Sequence, residues 1–255
     1  MIKTLSIAGS DPSGGAGIQA DLKVFQSLGA FGMAVPAALT VQNSRGVSAT
    51  YPVSPLVIKE QFDALLSDVR PDAVKTGMLL TREAVTEVAR AVARYRVRNL
   101  IIDPVLRSSS GKMLLKPEAV AALKKNLLPL ALIVMPNIPE TEILSGRTIK
   151  SEEDMDFAAG KLLAFGPQYV LIKGGHRAGP AVDTLYGGKT VFSFSTKRMR
   201  GEFHGTGCVL SAAITVFIAQ GMAVEKAVEK GKQVVEKMLK KTARVGRSRT
   251  KYFQF

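Results

Sequence analysis

Three charged side chains and one thiol in this sequence have the types and settings that phosphate chemistry needs. Asp103 stands before Pro104, and Glu140 closes the run Asn137-Ile138-Pro139-Glu140, each just past a short apolar segment. Two hard carboxylate oxygens at neighbouring strand ends suit a hydrated Mg²⁺ that also touches the phosphates of a nucleotide. The same residues also suit helix caps and turns, the commoner fate of Asp beside Pro. Lys173 follows the apolar run 169–172 and precedes Gly174-Gly175-His176, a compact cation placed to meet a phosphate. His204-Gly205-Thr206-Gly207-Cys208 opens a stretch of twenty residues without charge. Glycines at a helix start leave the first N–H groups unobstructed at the positive end of the dipole, which makes an anion hole. In the first helical turn Cys208 is expected to have a lowered thiol pKa; its bland alternative is a small buried apolar residue.

Two other glycine motifs match known fingerprints only formally. Gly15-Ala16-Gly17-Ile18-Gln19-Ala20 has the dinucleotide-binding spacing, but that site needs an acid about twenty residues on. Between Asp21 and Glu60 there is no Asp or Glu. The glycines of Gly9-Ser10-Asp11-Pro12-Ser13-Gly14-Gly15-Ala16-Gly17 are therefore expected to bring backbone close to a small ligand, or simply to make a turn. Gly187-Gly188-Lys189-Thr190 resembles the end of a phosphate-binding P-loop. Asp183 stands where its first glycine should be, and the segment reads as a hairpin tip.

The elements that must position these residues alternate. Strand-like runs at 4–8, 34–41, 73–75, 100–102, 132–135 and 169–172 are separated by helical periodicity at 18–28, 56–69, 82–95, 117–127, 152–165 and 206–220. That order predicts an α/β fold, a single domain over 1–255 with a mostly parallel central sheet and helices on both faces. A hairpin is expected from 184–186 and 190–194. In such a sheet ligands lie beyond the carboxyl ends of the strands. The glycine loop, Gln42-Asn43, Asp103, Asn137 with Glu140, and Lys173 all follow strands.

The chain has 255 residues, 46% hydrophobic and 22% charged. Such a chain buries enough surface to fold without a staple, and its single cysteine excludes an intrachain disulfide or a CxxC metal knuckle. No signal-peptide pattern opens the sequence, so a cytoplasmic location is expected. The uncharged stretch 205–224 is long enough for a membrane span, but its polar start reads as a buried helix. The net charge of +14 raises nucleic acid as a partner, and a net +7 of it falls in 222–255, a basic C-terminal helix and tail. There Val224, Ala227, Val228, Val234, Val235, Met238 and Leu239 form an apolar stripe, with Lys and Glu on a face read as solvated. No aromatics interleave with the bases before Tyr252 and Phe253, so neither nucleic-acid nor membrane binding is expected.

AGSDPSGGAGIQADLK, VQNSRGV, KTGM, DPV, PNIPE, LIKGGH and HGTGC stand in one order from about residue 3 to 240. Together they resemble the hydroxymethylpyrimidine/phosphomethylpyrimidine kinases, a branch of the ribokinase-like kinases. The resemblance implies a ribokinase-like αβα sandwich and a homodimer. It also implies ATP- and Mg²⁺-dependent phosphorylation of 4-amino-5-hydroxymethyl-2-methylpyrimidine, and then of its monophosphate, in thiamine biosynthesis. By position, Gln42 would hydrogen-bond the aminopyrimidine edge, with Ala16, Asp21, Met78 and Val105 lining the same pocket. Asp103, Asn137 and Glu140 would hold Mg²⁺ and phosphates, Lys173 would neutralise the transferred group, and Gly205, Thr206, Gly207 and Cys208 would form the anion hole. Cys208 stands where many ribokinase-like enzymes carry an Asp base. Two departures from the family are the run Arg107-Ser108-Ser109-Ser110-Gly111-Lys112, which lacks an acid after the glycine, and the tail RVGRSRTKYFQF, which lacks a Gly- and His-rich ending. A pyridoxal/pyridoxine kinase is the nearest rival, since both substrates are aromatic heterocycles bearing CH₂OH; a nucleic-acid-binding protein on a kinase fold is a more distant one.

Overall fold

A computed structural model describes residues 1–107, 111, 113–174, 181–188, 190–196, 198–199 and 201–255. Ser108, Ser109, Ser110, Lys112, Gly175, His176 and Lys189 lie outside the described residues. The central sheet runs in the order β3-β2-β1-β4-β5-β6-β7-β8-β9. β1 (Lys3–Ser10), β2 (Phe31–Asn43), β4 (Ala73–Thr76), β5 (Leu100–Ile102), β6 (Ile133–Val134) and β7 (Tyr169–Lys173) are parallel. β3 (Gly46–Pro52) joins one edge antiparallel, and the predicted hairpin, β8 (Ala181–Gly187) with β9 (Thr190–Thr196), closes the other. The parallel core is expected of near-continuous apolar runs, since helices cover both faces; β4 and β5 are buried at every position.

On one face α2 (Pro55–Asp68), α3 (Arg82–Arg94) and α6 (Glu152–Leu163) bury Phe62, Val88 and Leu162 against Leu5, Ile7, Val74 and Ile172. On the other, α1 (Gly17–Ser27), α7 (Thr206–Ala219) and α8 (Val224–Leu239) bury Phe25, Val209, Ile214 and Val228 against Ile101, Ile133 and Leu171. α4 (Pro117–Ala122) continues through a π turn over Leu123–Leu127. α7 is apolar all round because it lies between sheet and α8. It ends at Gln220 before Gly221 at φ +84°, and no described helix is long and apolar enough to cross a membrane.

Three sequence expectations need correction. Gln42 and Asn43 do not follow the second strand but are its last two residues, because β3 returns alongside and extends β2. Asn137-Ile138-Pro139-Glu140 begins a helix that periodicity missed, α5 (Ile138–Ser145), whose eight residues are too short to show a stripe. Lys232 does not belong to a solvated face: it is buried and pairs with Asp183 at 2.7 Å. The tail beyond α8 also folds, as β10 (Thr242–Ala243) against β11 (Tyr252–Phe253).

Candidate active site

Parallel pairing puts the carboxyl ends of β1, β2, β4, β5, β6 and β7 on one side, and the side chains with phosphate chemistry meet there. Asp103, one residue past β5, is buried and accepts a hydrogen bond from the Lys173 Nζ at 2.7 Å and from the Ser211 hydroxyl at 3.2 Å. A Cβ built on Gly207 would lie 3.6 Å from both Asp103 Oδ2 and Lys173 Nζ. The first turn of α7 thus faces the acid and the cation at the distance of one small group. Burial works to lower the Lys173 pKa, but Asp103 and Glu140 outweigh it and hold the ammonium charged.

Glu140 is both cap and site residue. With Asn137 it forms a capping box: the Asn137 side chain accepts from the Glu140 N–H at 2.9 Å, and the Asn137 N–H donates to Glu140 Oε2 at 2.9 Å. Its Oε1 accepts from the Leu106 N–H at 3.0 Å. Val105, the residue before Leu106, stands at φ +41°, a value a β-branched residue adopts only at a cost. Burial pushes the Glu140 carboxyl above its ordinary range, Lys173 opposes this and Asp103 adds to it. Among the described residues each oxygen of Asp103 and Glu140 holds one donor. Among the described residues no three metal-ligating side chains cluster. The donor set therefore fits a Mg²⁺ that arrives with nucleotide phosphates and keeps its waters, and not an all-protein cage.

The amino-terminal glycine loop is organised by Asp11, which sequence reading passed over. Its buried carboxylate accepts from Ser13 N–H and hydroxyl at 2.8 and 2.7 Å, and from Gly15 and Ala16 N–H at 3.2 and 2.8 Å. His204 Nε2 adds a fifth contact at 2.8 Å. Burial works to raise the Asp11 pKa, but the bonds from His204 and Ser13 hold it below its ordinary value. The same His204 nitrogen is 2.8 Å from Gln42 Nε2. One ring nitrogen makes one in-plane bond; with that bond made to Asp11, the Gln42 Nε2 is the freer end of the amide, while its Oε1 accepts from the Thr40 hydroxyl at 3.3 Å. A register shift between Val41 and Gln42 turns that side chain out of the regular ladder.

Met78 and Val105 meet in one small apolar cluster with Ala38, Leu80, Leu114 and Val47, the last being the β3 partner of Gln42. The loop and the α7 turn also touch. Gly205 caps α7 at φ +81°, and a Cβ there would sit 1.9 Å from the Gly15 carbonyl oxygen. Ala16 caps α1.

Of the residues expected to line the ring pocket, Asp21 is fully buried, and its oxygens accept from Lys75 at 2.5 Å and from Ser6 at 2.6 Å. Lys75, which carries no role in the sequence reading although it opens the KTGM string, is equally buried. Burial works to lower it, but the Asp21 carboxylate beside it outweighs that and keeps it charged. Cys208 does lie in the first turn of α7 and is half-buried, yet its thiol is not acidified. Burial pushes it up to about 11, and the opposing pull of Lys75 and of a bond from the Gly17 N–H does not compensate. The helix start is deep enough that loss of water outweighs the dipole.

Shallow hollows elsewhere, one of about 360 Å³ beside Asn99, Leu132 and Tyr169 at the amino ends of the strands, are separate from this cluster.

Known proteins give the arrangement its context. The phosphomethylpyrimidine kinase family model matches residues 11–252. The hydroxymethylpyrimidine/phosphomethylpyrimidine kinase of Bacillus subtilis is 41% identical over 260 residues, covering 100% of this chain and 96% of its own. The thiamine biosynthesis bifunctional protein ThiED of Geobacter sulfurreducens is 43% identical over 95% of this chain, which spans 50% of that longer protein. Among solved structures, an ADP complex of Bacillus subtilis pyridoxal kinase superposes with a TM-score of 0.90 at 35% identity, covering 100% of this chain and 97% of the other. With the family model spanning nearly the whole chain, and with Asp103, Lys173 and the Gly205-to-Cys208 turn meeting at the strand ends, the chain is a ribokinase-like phosphotransferase and belongs to the phosphomethylpyrimidine kinase family.

Proposed function

We propose that this site transfers the γ-phosphoryl group of ATP to the hydroxymethyl oxygen of 4-amino-5-hydroxymethyl-2-methylpyrimidine, and then a second one to the monophosphate. The product of the pair of steps is the diphosphate used in thiamine biosynthesis. The observation that carries this reading is the meeting of Asp103, Lys173 and Gly207 within reach of one phosphoryl group.

Gln42 reads the amine-bearing edge of the ring, and Met78 and Val105 pack its faces. The alcohol oxygen attacks phosphorus as the bridging bond to the β-phosphate breaks. Charge on the transferred group falls on the Gly205–Cys208 turn and on Lys173. Asp103 and Glu140, with Asn137 on the phosphates, would hold a Mg²⁺ that neutralises the nucleotide's oxygens. Because phosphoryl transfer is loose, little is asked of a base before the bond forms. Cys208, a protonated thiol at neutral pH, is no base there; it sits beside the alcohol as a hydrogen-bond partner, and the alcohol's proton passes late to an oxygen of the transferred phosphoryl group as ADP leaves.

Two outcomes follow for Cys208. Cys208→Ala lowers turnover by about 3–10-fold, the scale of one lost hydrogen bond, and leaves the KM for ATP within about twofold; unchanged turnover would remove the thiol from the mechanism. A thiol pushed up to about 11 is protonated at neutral pH and gains thiolate only as pH climbs toward that value. Iodoacetamide should then label the resting enzyme at pH 7.5 on the order of 100-fold more slowly than free cysteine, and the chain's single cysteine makes the readout unambiguous.

An ADP-release assay with the pyrimidine alcohol, its monophosphate and pyridoxal in parallel tests the substrate. Turnover of both pyrimidines above pyridoxal is expected. Pyridoxal turnover that equals or exceeds them would transfer the assignment to the second reading, which the structural likeness to pyridoxal kinase favours. A cytoplasmic homodimer completes the proposal. Leu39 and Val41 on β2 and Tyr51, the register partner of Leu39, share an exposed apolar face suited to a second copy.

A further inference from the structure

The segment after α8 returns to the site. β11 is held against β10 with Ala243 opposite Tyr252, and its approach is fixed by backbone bonds. Lys251 N–H donates to the Glu202 carbonyl at 2.9 Å, and His204 N–H donates to the Lys251 carbonyl at 3.0 Å. The chain end is therefore stitched to the residues just before the anion-hole turn. Tyr252 is 4% exposed. Its hydroxyl donates to Ser13 Oγ at 3.2 Å, and Ser13 Oγ donates to Asp11 at 2.7 Å. Its ring meets the His204 imidazole edge-on, with centroids 5.3 Å apart. A Cβ on Gly15 would lie 2.5 Å from both rings, so the glycine loop is pressed flat against them. Farther back, Ser248 N–H reaches the Ser44 hydroxyl at 3.5 Å, and Gly246 packs on that same side chain, two residues beyond Gln42.

These contacts converge on the Gln42 side of the cleft. The nucleotide-side residues Asn137 and Glu140 are braced by each other and by Leu106.

We propose that the C-terminal segment from Thr242 onward is a wall of the alcohol site, and that Tyr252 is a positioning residue acting through Ser13, Gly15 and His204 to set the glycine loop against the Gln42 amide. A buried aromatic with one polar handle suits this work, because its ring fixes the loop by packing and its hydroxyl fixes the register. The basic residues of the tail, on this reading, are the solvent side of a wall and not a nucleic-acid surface.

The inference rests on placing the ring at Gln42, so the test includes that residue. Tyr252→Ala, Tyr252→Phe and Gln42→Ala are compared in the intact chain for the KM of the pyrimidine alcohol, the KM of ATP, kcat and Tm. Tyr252→Ala should raise the alcohol KM about tenfold or more while the ATP KM stays within about twofold, and Tyr252→Phe should raise it about threefold, as loss of a single hydrogen bond would. A parallel rise of both KM values, or an unchanged alcohol KM in Tyr252→Phe and Tyr252→Ala, overturns the wall. Should the Ala variant not fold, Tyr252→Phe decides alone. If Gln42→Ala raises the alcohol KM while the Tyr252 variants do not, only this inference falls. If Gln42→Ala also leaves it unchanged, the placement of the ring falls with it.

Discussion

Gly205→Ala should reduce kcat by about 10²–10³-fold, the scale of losing one donor to the transferred group. Gly205 sits at φ +81°, where an L residue pays for its Cβ, and the new methyl would lie 1.9 Å from the Gly15 carbonyl oxygen. Two backbones cannot part by more than an ångström without moving the first N–H groups of α7. A misplacement of that size costs orders of magnitude in a reaction governed by position. The variant should still fold, since the buried body of α7 from Val209 to Ile218 is untouched. Steady-state kinetics on a folded preparation checks this; a loss below tenfold would mean that the turn is not the anion hole.

Asp103→Asn should lower kcat/KM about 10³-fold or more. The substitution removes one of the two acids that would hold Mg²⁺, and it also deprives Lys173 of its 2.7 Å counter-ion in a site where that side chain is only 15% exposed. Breaking a buried pair leaves an uncompensated charge, so part of the loss should appear as reduced stability. The two causes separate by titration: raising Mg²⁺ should recover part of kcat and none of the fall in Tm. A variant retaining more than a tenth of wild-type kcat/KM at low Mg²⁺ would exclude Asp103 from the phosphate side of the site.

Much of this protein was legible without coordinates. Alternation of short apolar runs with helical periodicity gave the αβα layers, because both periods arise from backbone geometry within a few residues. That Asp103, Asn137 and Glu140 follow strands, and that Lys173, read as following one, is the last residue of β7, brings them to one side, because parallel strands carry their carboxyl ends together. The family was legible from seven strings in order, and the matching family model bears that out. Glycine spacing before α7 predicted its open amino end.

What escaped was decided by burial and by contacts across long separations. The Cys208 pKa depends on how much water reaches the first turn of α7, and packing against the glycine loop makes desolvation outweigh the dipole. Asp21 and Lys75 lie 54 positions apart, and nothing local marks them as a buried pair. Lys232 looked like one more surface lysine until Asp183 faced it. Tyr252 and Ser13 are 239 residues apart. Sequence determines which faces are apolar and where the chain turns, through forces that act over a few bonds. Only the folded chain decides which charges lose their water and which distant side chains become neighbours, because both are properties of the assembled interior.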